Sequence, residues 1–333
     1  MPDLYPLLIR PEFHERVWGA RDLSPVYDRK SEKPIGEAWL TGDECKVQSG
    51  LLAGSTLGEL CRKFGADLVG TTAPVKDRFP LLIKFLFPRE KLSVQVHPDD
   101  EGARQLGHPC GKTECWYVLA AERGAQVGVG LKPGTKKDEV ARAIRELRLE
   151  KLLNWIDVHA GDLIYVEAGT VHAIGPGAIL VETQQNSDTT FRLYDYGRPR
   201  ELHLEQGLAA TKEKVPAGKV EPRRREDGDV NLVTAQPFVV DRIELKNARE
   251  FSNDSESSCV LVGLKGRGMV EAPGMQPLTF GGGEAVIVPA VLRDFTVRAD
   301  RELECLQARL PARGEAVDVH SRIAAEAANL AGR

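Results

Sequence analysis

Long apolar runs are missing from this chain. The longest, PLLIKFLF and AVIVPAVL, fall far short of the roughly 20 residues that cross a bilayer, so no membrane partner is expected. An excess of charge of one sign is missing too. A net charge of -4 over 333 residues, with 28% charged, leaves no basic footprint for nucleic acid. Cysteine is scarce: six residues, at 45, 61, 110, 115, 259 and 305, are scattered along the chain. The N-terminal stretch MPDLYPLLIRPEF lacks the layout of a secretion signal, so reduced thiols and a cytoplasmic location are expected. Cys110 and Cys115 flank Glu114, but a lone CxxxxC spacing is no zinc-knuckle pattern, and both read as buried structural thiols.

What is present is a succession of short strands punctuated by glycine and proline. FPLLIKFLF, KLSVQVH, ECWYVLA, AQVGVGL, GDLIYVEA, GAILVETQQ and TTFRLYD predict a mainly β chain, an all-β sandwich or jelly-roll barrel. Helices interrupt it. STLGELCRKFGADLVG opens with a capping-box spacing, Thr56 to Glu59, and so predicts one helix. Val140, Ile144 and Leu147 recur at helical spacing in LKPGTKKDEVARAIRELRLEKLLNWID, predicting a second over that whole stretch. A third, shorter helix is expected in ELHLEQGLAATKEK. The charged, aperiodic residues 214–229 read as a linker that forms no core. The expected division is therefore a domain over 1–213, this linker, and a small C-terminal β domain over 230–333. In that second domain GGGEAVIVPAVLRDFTV repeats the rhythm of GDLIYVEAGTVHAIGPG, with Asp294 where the first copy has His172. The small domain is expected to be a degenerate, metal-free copy of the first.

Chemistry concentrates in five stretches. In LSVQVHPDD, Gln95 and His97 stand two apart, which on a strand turns both side chains to one face. Glu114 opens the strand ECWYVLA, where a carboxylate is costly to bury unless paired or metal-bound; a surface pair with Lys112 is the alternative. His172 follows Gly169 at a sharp turn between strands, and a glycine there lets the backbone fold back and aim the imidazole into a barrel mouth. An amide, an imidazole, a carboxylate and a second imidazole make a mixed nitrogen and oxygen set suited to Zn²⁺, with manganese or iron as alternatives. Arg192 lies in QNSDTTFRLYD, where Asp188 or Asp195 would pair it if it were only a surface residue. His14, His108, His159, His203 and His320 lack comparable context and read as surface or packing residues.

Together QVHPDD, KTE, GTVHAIG and QQNSDTTFRLYDYGR, with RVWGARDL and PIGEAWLTGDE before them, resemble the type I mannose-6-phosphate isomerases in their short bacterial form, a cupin family. The resemblance spans most of the chain. It implies a jelly-roll cupin barrel with helical insertions plus a second, smaller cupin-like domain. It also implies one zinc ion per chain, ligated by Gln95, His97, Glu114 and His172, with Arg192 as the catalytic arginine. Lys112 and Glu182 match polar active-site positions, as proton shuttle or its orienter, and Ser93, Lys112 and Arg192 are candidates for holding the substrate. The reaction implied is the interconversion of mannose 6-phosphate and fructose 6-phosphate through a metal-stabilised enediol. The chain departs from the usual pattern at Glu167, where the turn before the second histidine commonly carries proline. Two rivals share the fold: a non-haem iron oxygenase, against which Gln95 and Arg192 speak, and a sugar-binding cupin without activity. No long heptad or apolar helix marks an interface, so a monomer or weak homodimer is expected.

Overall fold

The computed structural model describes residues 4–253 and 256–323. Two sheets face each other across the first core. One has seven strands in the order Ala217–Lys219, Leu163–Val166, Glu114–Ala121, Ala178–Gln185, Leu81–Leu86, Lys30–Trp39 and Glu12–Asp22. The other has five, ordered Phe191–Tyr194, Val94–Val96, His172–Ile174, Gln126–Leu131 and Leu153–Asp157. This is the mainly β jelly-roll sandwich that the strand pattern predicts.

Alternation along each strand decides what enters the space between the sheets. On the five-stranded sheet, Val94, Val96, Ala173, Phe191 and Leu193 face outward and pack with Val140, Ala143 and Ile144 of the helix Lys137–Arg145. That packing turns the intervening Gln95, His172 and Arg192 inward. On the seven-stranded sheet, Ile83, Phe85, Cys115, Tyr117 and Val181 face a large outer core shared with the C-terminal half. Lys84, Glu114, Trp116 and Glu182 therefore face inward. The thiol of Cys115 thus lies on the opposite face of its strand from the Glu114 carboxylate, buried as the sequence suggests.

The helix predicted from Thr56 forms with its capping box complete, Leu57–Phe64, and the chain continues as Ala66–Val69. The helix predicted over the whole stretch LKPGTKKDEVARAIRELRLEKLLNWID is much shorter. It stops at Arg145, because Leu147 takes a left-handed φ of 53° and points into solvent rather than continuing the buried face. Leu153–Asp157 then pairs as a strand with Gln126–Leu131. The third helix is Leu204–Ala210.

Eight strands of the C-terminal half and Leu7–Ile9 from the N-terminus form a nine-stranded sheet around a second core that includes Ile243, Leu261, Phe280 and Phe295. The segment 214–229 does not run free of the cores. Ala217–Lys219 extends the seven-stranded sheet, Arg223–Arg224 edges the nine-stranded one, and Val220 between them is buried in the shared core. The repeated rhythm is visible as geometry. Leu163–Val166 leads through a turn to His172, and Ala285–Val288 leads through a turn to Asp294, each the first residue of the next strand. Asp294 is exposed.

Candidate metal centre and adjoining cavity

Three strands bring His97, Glu114 and His172 together so that one ligand atom from each lies within 4.8 Å of the others. His172 Nε2 is 3.4 Å from Glu114 Oε1, and His97 Nε2 is 3.5 Å from Glu114 Oε2. All three side chains are buried. His172 faces Gln95 across an antiparallel pair, which sets the Gln95 amide 3.2 Å from His172 Nε2.

The histidine tautomers follow from their other nitrogens. His97 Nδ1 lies 2.9 Å from the Thr189 carbonyl, and His172 Nδ1 lies 2.9 Å from the Thr170 carbonyl. A carbonyl only accepts, so each Nδ1 carries the proton and each Nε2 presents a lone pair to the centre. Burial keeps both rings neutral. It pushes His97 down to about 3, with Lys112 adding to the effect against Glu114, and it lowers His172 as well. Burial works against ionisation of Glu114, but Lys112, His97 and His172 outweigh it and hold the carboxyl well below its ordinary range. Lys112 Nζ is 3.3 Å from Glu114 Oε2.

His97 Nε2 and both oxygens of Glu114 are buried without a hydrogen-bond partner. Only Oε2 has an ion-pair contact, to Lys112, and leaving the other two atoms without a partner is costly in a folded interior. Two imidazole nitrogens and a carboxylate converge on one point, and a half-turn of its amide would present the Gln95 oxygen to the same point, so the residues fit a divalent cation with borderline preference.

Above this centre opens a cavity of about 390 Å³, lined by Arg16, Trp18, Glu37, Lys84, Ser93, Gln95, Lys112, Glu182, Asp188, Arg192 and Arg200 among others. That volume is within the range typical of small-ligand pockets. All the site residues marked in the sequence thus either form the centre or line this cavity. Ser93 Oγ donates to Gln95 Oε1 at 3.2 Å. Arg192 sits opposite Gln95 in the pairing of its strand, with Nη1 donating to the Glu201 carbonyl at 2.8 Å and Nε buried without a partner. Asp195 does not pair with it: its carboxylate is taken by Arg198 at 2.7 Å and Arg200 at 2.6 Å. Among the described residues no carboxylate lies within ion-pair distance of Arg192.

Sequence reasoning missed the ion-pair network in the opposite wall. Lys84, fully buried, lies 2.9 Å from Glu182, and Glu182 also accepts from Trp116 Nε1 at 3.1 Å. Glu37 accepts from Arg16 at 2.8 Å and Trp39 Nε1 at 2.7 Å. Burial opposes the ammonium of Lys84, but Glu182 and Glu37 outweigh it and raise its affinity for the proton. Glu182 is pushed up by burial and by the charge of Glu114, against Lys84 and Lys112. The signal was a charge in each of two otherwise apolar stretches, FPLLIKFLF and PIGEAWL. Two histidines read as surface or packing residues also have work nearby. His203 Nδ1 accepts from the Arg192 backbone at 3.2 Å, and His320 Nε2 lies 2.7 Å from Glu167 Oε2.

Comparison with known proteins points the same way as the geometry. The family described as phosphomannose isomerase type I, catalytic domain, matches residues 7–122. The chain is 41% identical to mannose-6-phosphate isomerase ManA of Bacillus subtilis over 217 residues, 61% of this chain and 67% of that protein. It is 33% identical to the mannose-6-phosphate isomerase of Streptococcus mutans over 90% of this chain and 96% of that one. The crystal structure of the mannose 6-phosphate isomerase from Bacillus subtilis superposes with a TM-score of 0.81 at 30% identity, covering 92% of this chain and 99% of the other.

Proposed function

The chain belongs to the type I phosphomannose isomerase family, and from that premise we propose that it is a zinc-dependent enzyme interconverting mannose 6-phosphate and fructose 6-phosphate. The class is that of an aldose–ketose isomerase. The observation that carries the metal reading is the set of buried atoms on His97 and Glu114 that lack a hydrogen-bond partner. We assign one ion per chain to Gln95, His97, Glu114 and His172. Bound there, it would supply a Lewis acid to polarise the carbonyl of the open-chain sugar.

The remaining work falls to the chain's own groups. Isomerisation takes a proton from carbon 2 and returns it to carbon 1 by way of an enediol. Glu182 has the right chemistry for that transfer, since burial raises its proton affinity toward the range where a carboxylate both accepts and returns a proton. Lys84 orients it. Lys112, held beside Glu114, is the second candidate for the proton. Arg192 stabilises negative charge developing on the sugar oxygens, because its guanidinium lines the cavity without a carboxylate to neutralise it. Ser93, Lys112 and Arg192 hold the substrate; Arg16 and Arg200 line the same cavity, each already paired with a carboxylate, Glu37 and Asp195. The metal-bearing domain over 1–213, a junction at 214–229 and a metal-free domain over 230–333 remain the proposed division. No helix among the described residues is long and apolar enough to cross a membrane. We assign the enzyme to the cytoplasm as a monomer or weak homodimer.

One coupled assay tests both parts: fructose 6-phosphate formation from mannose 6-phosphate before chelation, after chelation, and after zinc is returned. Activity lost and then restored by zinc is the expected result. Undiminished activity in the chelated, metal-free protein would remove the metal reading, and no turnover by a zinc-loaded protein would remove the isomerase reading.

A further inference from the structure

The turn at 167–170 touches each strand that carries a ligand. Gly169 N donates to the His97 carbonyl at 2.9 Å, Ala168 N donates to Thr113 Oγ1 beside Glu114 at 3.2 Å, and the Thr170 carbonyl accepts from His172 Nδ1 at 2.9 Å. Glu167 opens this turn, and its side chain reaches out of the sandwich. Glu167 Oε2 meets His320 Nε2 at 2.7 Å across 153 positions of sequence.

His320 is not on a loose surface. It lies in the short helix Val319–Arg322, whose last residue is buried and strapped to the C-terminal sheet. Arg322 donates to the carbonyls of Glu221, Asn231 and Leu232 and to the side chains of Asn231 and Asp318. Asp318 N donates to the Thr234 carbonyl at 3.2 Å, and Ile323 bridges to Val220. The His320 ring also lies 6.2 Å from that of Tyr165, on the strand leading into the turn. The donor thus stands on a fixed frame, while its acceptor belongs to the turn that organises the ligands.

We infer that His320 is a positioning residue for the metal centre: the C-terminal domain holds the ligand-bearing turn closed through the His320–Glu167 hydrogen bond. This rests on the metal reading above. The pair is partly exposed, so it adds little to global stability. Its effect is on local opening of the turn, and therefore on how readily the ion escapes.

The test is zinc release from the loaded protein to a chelating dye, followed in time, with the melting temperature measured in parallel. His320→Ala should release zinc roughly fivefold faster, the factor of about one ordinary hydrogen bond, with little change in melting. Glu167→Ala should do the same, and the double variant should be no faster than either single. His320→Gln, which keeps a donor near the same place, should restore most of the retention. Unchanged release in both alanine variants, or a fall in melting without faster release, would overturn the inference while leaving the metal reading intact. A wild-type protein that takes up no zinc would overturn both.

Discussion

Replacing Lys84 with methionine keeps most of the apolar stem of the side chain and removes its charged, hydrogen-bonding head. Lys84 is 2% exposed and lies 2.9 Å from Glu182, so the substitution strands a buried carboxylate whose other charged neighbours are Glu114, which repels it, and Lys112. Breaking a buried pair from one side typically costs about 3–5 kcal/mol, and we expect the low end, because Trp116 Nε1 still donates to Glu182. The sign of the pH dependence follows from the carboxyl. Its folded affinity for the proton is raised above the ordinary value of 4.5, so the ionised form weakens the fold. That penalty is absent below the unfolded pKa and grows as pH rises through the folded one. Losing Lys84 raises the folded value further. The loss should therefore be large at pH 8 and shrink toward pH 5, where Glu182 can take up a proton. Urea unfolding of wild type and Lys84→Met at the two pH values reads this directly. Adding Glu182→Gln to Lys84→Met should recover most of the stability and none of the turnover. A loss below about 1 kcal/mol at pH 8, or an equal loss at both pH values, would refute the buried-pair argument.

Arg192→Ala should lower turnover about 100- to 1,000-fold, the range for removing one group that stabilises developing charge, while zinc content stays at wild-type level; a rate within tenfold of wild type would refute its role. Gly169→Ala forces a side chain onto a φ of +94° and sets its Cβ 2.7 Å from Lys212 Cδ. About 1–2 kcal/mol of strain in the turn is expected, seen as a lower melting temperature and weaker zinc retention together, and wild-type values for both would mean the turn accommodates the change.

The convergence of Gln95, His97, Glu114 and His172 was legible because strand periodicity is simple. Two residues apart means one face, so Gln95 and His97 could be placed together from spacing alone, and the glycine before His172 signalled a reversal that brings a third strand alongside. Glu114 was legible only through what burial would cost it. Lys84 and Glu37 were not found, because a single charge inside an apolar strand reads as an interruption until the facing strand supplies its partner. Glu182 on the neighbouring strand, register-paired with Lys84, is that partner, and such pairing is nonlocal. The helix after residue 131 was overextended for a related reason. LLNWID has enough apolar residues for either geometry, and the waiting edge of Gln126–Leu131 decided for strand. His320 was read as a surface residue since nothing near it in sequence hints at Glu167.

The pairing of Leu7–Ile9 with Ala285–Val288, which sets Leu7 opposite Ile287, has a consequence for biogenesis. A ribosome extends the chain N-terminus first, at about 5–20 residues per second. The first strand to emerge must then wait tens of seconds for the partner it will keep. During that interval its three fully or nearly fully buried residues are open to chaperones or to another nascent chain. Synthesis at high density is thus the condition under which strand exchange between copies competes with self-completion, and deleting residues 4–9 would leave an exposed edge at Ala285–Val288 in the finished molecule.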